Sequence, residues 1–185
     1  MFCGKRCQRS VIGKTLRKSS EWERYFAGKA AKELPPLICL NPLDGQKRTS
    51  VSGEPTFRGN ANVADFRYCL LEFDDEETKP IERQLAFFSA VDLPLVALVY
   101  SGGKSIHAWL RVRDIRTLED WQEIVAHQTF ERVFRPLGAD PACKTASRLG
   151  RLPGALRHDK GKTQDLLYLD QDQGRWDGDW GGFLS

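Results

Sequence analysis

Two carboxylates lie one residue apart at the end of an apolar run in LLEFDDEE, residues 70–77. Alternate side chains of a strand share a face, so Glu72 and Asp74 are expected to point together while Leu71 and Phe73 face the core. Carboxylates at the end of a buried strand destabilise the fold unless a positive charge compensates them. A divalent cation, which binds oxygen ligands, would supply that charge. Two such ions, about 3.5–4 Å apart, commonly serve phosphoryl and nucleotidyl transfer. For this pair alone, a solvated acidic turn stays open as the alternative.

A second group of candidate polar side chains follows a Gly-Gly pair in YSGGKSIHAWLRV, residues 100–112. The glycines would let backbone amides approach a phosphate closely, and Lys104 adds a positive charge. On a strand, Ser105 and His107 share a face and could donate hydrogen bonds side by side to triphosphate oxygens. The glycine spacing is not that of a P-loop, and the glycines precede a strand rather than a helix. A plain hairpin turn with a structural histidine is the alternative.

The third candidate is ADPACKTASRLGRLPGALR, residues 139–157. Asp140 could supply a third carboxylate to the same metal ions. Four basic residues follow it in a loop rich in Gly and Pro: Lys144, Arg148, Arg151 and Arg157. Guanidinium groups form paired hydrogen bonds with phosphate oxygens, which suits an incoming nucleotide or a template backbone. Taken alone, this segment is also compatible with a basic surface loop.

The order of these segments resembles the three motifs of the archaeo-eukaryotic primase superfamily, and more narrowly the primase-polymerase domains of phage and plasmid replication proteins. The first motif, two acidic residues one apart, is matched by Glu72 and Asp74, although many members begin it with Asp. The second, Ser-x-His, is matched by Ser105 and His107. The third, an Asp after a small or apolar residue, is matched by Asp140.

Further matches follow the third motif. Family members have a basic residue after the third motif that contacts the nucleotide, and Arg148 or Lys144 is the candidate for it here. An Arg-x-Pro-Gly run that recurs in phage members is matched by residues 151–154. The resemblance covers roughly residues 60–160. The zinc-binding module of some relatives and the helicase that often follows this domain have no counterpart in the sequence.

The resemblance implies template-directed nucleotidyl transfer on single-stranded DNA, in the replication of a phage or plasmid-like element. Two Mg²⁺ or Mn²⁺ ions would bind Glu72, Asp74 and Asp140 as catalytic and metal-binding residues. The nucleotide triphosphate would be held by a second set: Lys104, Ser105, His107, Arg148 and Arg151. A replicative helicase, either fused or separate, is a further partner that the resemblance implies.

The charge distribution favours a polyanionic partner. The net charge is only +3, but residues 1–32 carry nine Lys or Arg against two Glu, and residues 140–162 carry six against two Asp. Residues 72–77 hold five carboxylates, and the last 23 residues carry five Asp against one Arg. Basic regions on both sides of an acidic cluster suit nucleic acid together with bound cations. The N-terminal basic arm and the loop after Asp140 are therefore expected to hold a single-stranded template.

Five cysteines, an odd number in a chain without an export signal, argue against a disulfide framework. Cys3 and Cys7 have no second pair at the spacing of a zinc site, and Cys69 is expected in the core. No apolar stretch approaches the roughly 20 residues of a membrane span, and the first 30 residues lack the apolar core of a signal peptide. A cytoplasmic location is the default expectation.

The hydrophobic patterns predict an α+β fold. Strands are expected at 66–74, 93–100, 105–112 and 165–169, and helices at 14–33, 80–91 and 117–134. The second and third strands should form a hairpin, and Thr117 with Asp120 should cap the third helix. The predicted order of elements is strand, helix, strand, strand, helix, strand. This order resembles the ferredoxin-like or RNA-recognition-motif topology of an antiparallel sheet. We expect an N-terminal helical and basic extension over residues 1–62, packed on or flanking a catalytic core at 63–185.

Two other functions stay open at this stage. A metal-dependent nuclease or nicking replication initiator would use similar carboxylates and a histidine, but the chain has only His107, His127 and His158 and no His-x-His pair. A non-catalytic nucleic-acid-binding module would display aromatic residues on its strands, for which Phe66 and Trp109, with Tyr68, are the candidates.

Overall fold

The chain folds around two four-stranded antiparallel sheets, seen in a computed structural model that describes residues 9–50, 52–75 and 77–170. The strands, in chain order, are β1 Arg9–Ile12, β2 Thr15–Lys18, β3 Leu37–Cys39, β4 Arg48–Thr49, β5 Pro55–Thr56, β6 Tyr68–Leu71, β7 Leu95–Tyr100, β8 Ile106–Arg111, β9 Leu149–Arg151, β10 Leu156–Arg157, β11 Lys162–Thr163 and β12 Leu166–Leu169. The helices are α1 Ser19–Phe26, α2 Ile81–Ala90 and α3, which begins with Leu118–Asp120 and continues as a π-helix over Trp121–Phe134.

The first sheet has the strand order β12-β7-β8-β6, with every neighbouring pair antiparallel. β7 and β8 form the predicted hairpin, whose register runs from Leu95 opposite Leu110 to Tyr100 opposite Ile106. Thr117 caps α3 as predicted: its Oγ1 accepts a hydrogen bond from Asp120 N, and the Asp120 carboxylate accepts one from Thr117 N. The mixed α+β architecture with an antiparallel sheet is therefore confirmed.

The second sheet has the order β2-β1-β3-β9 and joins distant parts of the sequence. β3 pairs with β9, with Leu37 opposite Arg151 and Cys39 opposite Leu149. A Cβ added at Gly150 would lie 2.9 Å from Leu40 Cδ2 and 3.3 Å from Trp109 Nε1. Glycine at this position therefore allows β9 to lie close to the first sheet.

The larger of two hydrophobic clusters among the described residues runs through the domain. It includes Trp22 of α1, Leu70 of β6, Phe88 of α2 and Phe130 of α3, together with Ile38 of β3. Residues before and after the predicted boundary at 62/63 thus share this core, and they share the second sheet as well. The division into an extension and a catalytic core stays a prediction.

Several predicted bounds differ from the structure. The predicted helix 14–33 is a strand, the helix Ser19–Phe26 and a short 3₁₀ turn at Ala31–Glu33, because residues 15–18 pair with β1 instead. The first core strand ends at Leu71 rather than residue 74. The loop-rich segment 138–163 also contains β9, β10 and β11. Cys3, Cys7 and most of the acidic C-terminal segment lie outside the described residues.

The aromatic residues suggested for a non-catalytic binding module are not displayed on an open sheet face. Phe66, Tyr68 and Trp109 are all buried. Phe66 packs against Trp121 of α3, with ring centroids 5.7 Å apart, and Trp109 faces Gly150. Within the described part of the chain, no helix has the length and apolar character needed to cross a membrane.

Candidate active site

A cavity of about 300 Å³, called here the central cavity, is lined by residues from both sheets and the loops beside them. Its lining residues are Leu37, Glu72, Asp74, Lys104, Ser105, His107, Arg148, Leu149, Arg151 and Arg157. Seven of the eight residues predicted for the site are in this set. The eighth, Asp140, contacts two of them through hydrogen bonds described below.

Glu72 follows β6 directly and is 4% exposed. Its Oε2 accepts a hydrogen bond from His107 Nε2 at 2.7 Å, and its Oε1 accepts one from Arg148 Nη2 at 2.8 Å. Burial alone would raise the pKa of Glu72, but the hydrogen bonds and charges of His107 and Arg148 outweigh it and lower the pKa to about 2. Glu72 is therefore an anion at neutral pH despite its burial.

Asp140 lies beside Glu72, as the proposed convergence of the first and third motifs requires. Its backbone N–H donates to the Glu72 carbonyl oxygen at 2.9 Å. Its side chain accepts one hydrogen bond from Ala142 N, at the start of a short 3₁₀ turn, and another from Arg148 Nη2 at 2.7 Å. The same guanidinium nitrogen thus joins the carboxylates of Glu72 and Asp140.

Asp74 lines the central cavity with Glu72, although the strand has already ended. The residue between them, Phe73, is buried and packs edge-on against Phe87 of α2, with ring centroids 5.4 Å apart. The alternation predicted for a strand therefore persists: one apolar residue turns inward and its two acidic neighbours turn to the cavity. Asp74 itself is exposed, unlike Glu72.

The acidic groups have the character of a metal site. Among the described residues, ligand atoms of Glu72, Asp140 and Cys143 lie within 4.8 Å of one another. Burial and the charge of Glu72 raise the pKa of the Cys143 thiol, which donates a hydrogen bond to Glu72 Oε1 at 3.6 Å. A protonated thiol is a poor ligand, so carboxylate oxygens are the available donors, and these suit a hard divalent cation.

Ser105 lies in the β7–β8 link and His107 in β8, and both line the central cavity. Ser105 Oγ donates to Ser101 Oγ at 3.2 Å, and both serines are buried. A Cβ at Gly103 would lie 2.5 Å from Arg157 Nη1, so the glycine leaves room for that guanidinium across the link. His107 Nδ1 is buried and forms no hydrogen bond within the described structure. Lys104 is exposed at the rim.

Two guanidinium groups face the cavity from the loop after Asp140. Burial and the nearby charge of Arg157 lower the pKa of Arg151 below its ordinary value, although it stays charged at neutral pH. Arg151 Nε is buried without a hydrogen-bond partner among the described residues. Arg157 Nε forms an ion pair with Asp159 at 3.1 Å, and the two neighbouring guanidinium groups have the charge that suits a polyanion. Arg157 was recognised in the sequence only as part of a basic loop.

Of the two basic candidates after the third motif, the structure places Arg148 at the cavity and Lys144 elsewhere. Lys144 Nζ forms an ion pair with Glu131 of α3 at 2.6 Å and does not line the cavity. The other two histidines, His127 and His158, are exposed and lie outside the cavity lining. A two-histidine nicking site is therefore absent from the described part of the chain.

Two buried amides that sequence patterns did not single out hold the site segments together. Gln84 of α2 donates to the carbonyl oxygens of Lys79 and Lys104 and accepts from Ile106 N, at 2.8–3.0 Å. Its one signal in the sequence is a polar side chain among the apolar positions of a helix. Asn41 accepts hydrogen bonds from the Arg67 and Tyr68 amides.

The architecture is that of the archaeo-eukaryotic primase (AEP) fold, as similarity to a solved structure shows. The AEP domain of the cyanophage S-2L primase-polymerase (PrimPol) is similar to this chain with a TM-score of 0.57. The similarity covers 96% of this chain and 85% of that one at 15% sequence identity, and so it shows a shared fold. No protein-family model matches the chain, and no curated protein matches it in sequence.

Proposed function

We propose that this chain is a primase-polymerase, which adds nucleotides to a growing strand and uses single-stranded DNA as the template. The observation that carries the proposal is the central cavity, where two acidic segments meet the Ser-x-His strand on a primase fold. Four Lys or Arg side chains line it against two carboxylates among the described residues. This excess of positive charge suits a nucleotide triphosphate, and the carboxylates suit the cations that accompany it.

Glu72, Asp74 and Asp140 would hold the metal ions, for which Mg²⁺ or Mn²⁺ in a two-metal arrangement is our proposal. The oxygen donors of Glu72 and Asp140 lie within 4.8 Å of each other, and Asp74 lines the same cavity as Glu72. Bound cations would supply Lewis-acid stabilisation of the hydroxyl oxygen and of the phosphate oxygens during transfer.

The remaining side chains would bind and orient the triphosphate. Ser105 and Lys104 line the cavity from the β7–β8 link, Arg157 packs against that link at Gly103, and Arg151 lines the cavity from β9. His107 already donates through Nε2 to Glu72, so it would position that carboxylate, and Nδ1 is its remaining nitrogen. In the reaction, the 3′-hydroxyl oxygen bonds to the α-phosphorus and the bond to the bridging oxygen breaks. Pyrophosphate leaves, and the hydroxyl proton passes to solvent.

Arg148 would change partners when substrate binds. Its Nη2 now bridges the two carboxylates of Glu72 and Asp140, which are also proposed cation ligands. A divalent cation and the guanidinium compete for the same oxygens, so Arg148 must release at least one of them. The triphosphate that arrives with the metal offers the guanidinium a new anionic partner. Metal and nucleotide binding would therefore favour each other.

A template-directed incorporation assay tests the proposal. Single-stranded DNA, with and without an annealed primer, is incubated with Mg²⁺ or Mn²⁺ and with deoxynucleotides or ribonucleotides, and the products are sized. We expect products whose composition follows the template and whose formation stops with chelator. Cleavage of labelled DNA without nucleotides, and no synthesis, would instead identify a nuclease and overturn the proposal.

A further inference from the structure

A second and larger cavity, called here the side groove, adjoins the central cavity. Its volume is about 670 Å³, which lies within the range of 300–1,000 Å³ common for ligand sites. Leu37 of β3 and Leu149 of β9 line both cavities, so the two cavities are neighbours. A molecule in the side groove would therefore lie beside the proposed active site.

The lining of the side groove is apolar with two cations. Lys14 lies in the β1–β2 turn and Arg58 follows β5, and no carboxylate is among the described residues that line it. Phe57, next to Arg58 in the sequence, also lines the groove and is 42% exposed. An exposed aromatic ring beside cations is the arrangement with which proteins hold single-stranded nucleic acid, through base stacking and phosphate neutralisation.

Local hydrogen bonds keep the groove open. Thr56 Oγ1 accepts from Arg58 N and donates to Arg58 O, which fixes the turn that carries Phe57. Arg58 Nη1 donates to the Ser147 carbonyl oxygen at 3.1 Å and so ties this turn to the segment before β9. Gly13 has a φ of +60°, and a Cβ there would lie 2.8 Å from Pro35 Cβ, so glycine allows the tight turn before Lys14.

We propose that the side groove binds the unpaired templating strand, with a base stacked on Phe57 and a backbone phosphate at Lys14. The inference rests on the proposed function. An unpaired base offers a free face for stacking, whereas the bases of a primer duplex are already stacked on one another. Because Leu37 and Leu149 line both cavities, a template strand held in the side groove would lie next to the proposed nucleotide site.

Fluorescence anisotropy with labelled single-stranded DNA tests the groove, and Mn²⁺-dependent binding of a nucleotide triphosphate is measured in parallel. We expect Phe57→Ser to weaken DNA binding about tenfold, while Phe57→Trp retains it, because the ring supplies the stacking. We expect Lys14→Gln to lower the slope of log affinity against log salt by about 0.7, since it removes one phosphate contact. Nucleotide binding should be unchanged in all three variants.

Matched controls come from residues outside both cavities. Tyr168→Ser removes an aromatic ring that is 44% exposed on β12, and Lys32→Gln removes an exposed charge. Equal DNA affinity in Phe57→Ser and the unchanged protein would overturn the groove and leave the proposed function intact. Tighter binding of an apolar peptide than of DNA in the side groove would also overturn the groove proposal. An unchanged protein that binds neither DNA nor nucleotide would overturn the proposed function, and the groove with it.

Discussion

Glu72 receives two hydrogen bonds from cationic or potentially cationic side chains while its carboxylate is almost fully buried. The folded-state pKa of about 2 lies below the ordinary value of 4.5. A carboxylate with a depressed pKa stabilises the fold fully above the unfolded pKa, and this stabilisation is lost as the pH falls through the folded pKa. Glu72 therefore contributes to stability at neutral pH as well as to the site.

Replacing this carboxylate by its amide should give a pH-dependent loss of stability. In the presence of chelator, Glu72→Gln should reduce the free energy of unfolding by on the order of 3 kcal/mol at neutral pH. The difference from the unchanged protein should shrink as the pH falls from about 4.5 to about 2, where Glu72 becomes protonated. Urea unfolding over this pH series measures it, and a difference independent of pH would contradict the assigned ionisation.

The bridging guanidinium leads to a prediction about metal affinity. Arg148→Met should increase the affinity of the nucleotide-free protein for Mn²⁺ about tenfold, because the two carboxylates lose a competing cation. An electron paramagnetic resonance titration of free Mn²⁺ measures this. Arg151→Met is the matched control: it removes a charge from the same cavity but no hydrogen bond to either carboxylate. Equal effects of the two substitutions would show that Arg148 does not compete directly.

At the scale of the elements, α2 positions the link between β7 and β8. Gln84 is 1% exposed and holds this link through the Lys104 carbonyl oxygen and the Ile106 amide. The helix thus fixes one wall of the central cavity without lining it. A buried amide with all these partners is costly to replace, since each backbone group left unpaired loses its hydrogen bond without regaining water.

Gln84→Met should lower the stability of the fold by about 1–3 kcal/mol and loosen the link. Because Gln84 positions the link and does not line the cavity, the substitution should raise the KM for nucleotide more than it lowers kcat. Thermal melting and steady-state incorporation measure the two effects. Gln128→Met serves as the control, because Gln128 is only half-buried and its side chain donates to the exposed Glu123. A loss of stability with an unchanged KM would give Gln84 a purely structural role.

At the scale of the whole molecule, the proposed active site lies where two sheets meet. The acidic pair and the Ser-x-His strand belong to the first sheet and its loops, whereas Arg151 belongs to β9 of the second. β9 is held by β3, so residues near the N-terminus complete a site whose motifs all lie after residue 70. The side groove continues along this second sheet.

Sequence patterns predicted the structural features that depend on residues close together in the chain. The β7–β8 hairpin, the Thr117 cap and the inward turn of Phe73 between two acidic residues each depend on a few adjacent side chains. The pairing of β3 with β9 joins segments more than 100 residues apart, and neither strand exceeds three residues. Such short strands have no distinct period, so their pairing leaves no local signal.

The same limit applies to the site. Residue types and spacing, read together with the resemblance to primase motifs, predicted seven residues of the central cavity and the proximity of Asp140 to Glu72. The bridge formed by Arg148 and the approach of Cys143 to Glu72 depend on how a loop folds back, which local spacing does not specify. The roles assigned to these residues stay predictions.

The most direct test of the central claim is nucleotide incorporation by Asp74→Asn, compared with Glu77→Gln. Both changes remove one exposed carboxylate from the same acidic segment, but only Asp74 lines the central cavity. The account predicts at least a hundredfold loss of incorporation in Asp74→Asn, with an unchanged melting temperature, because the loss of a metal ligand raises the barrier by several kcal/mol. Glu77→Gln should retain activity. Full incorporation by Asp74→Asn would contradict the account.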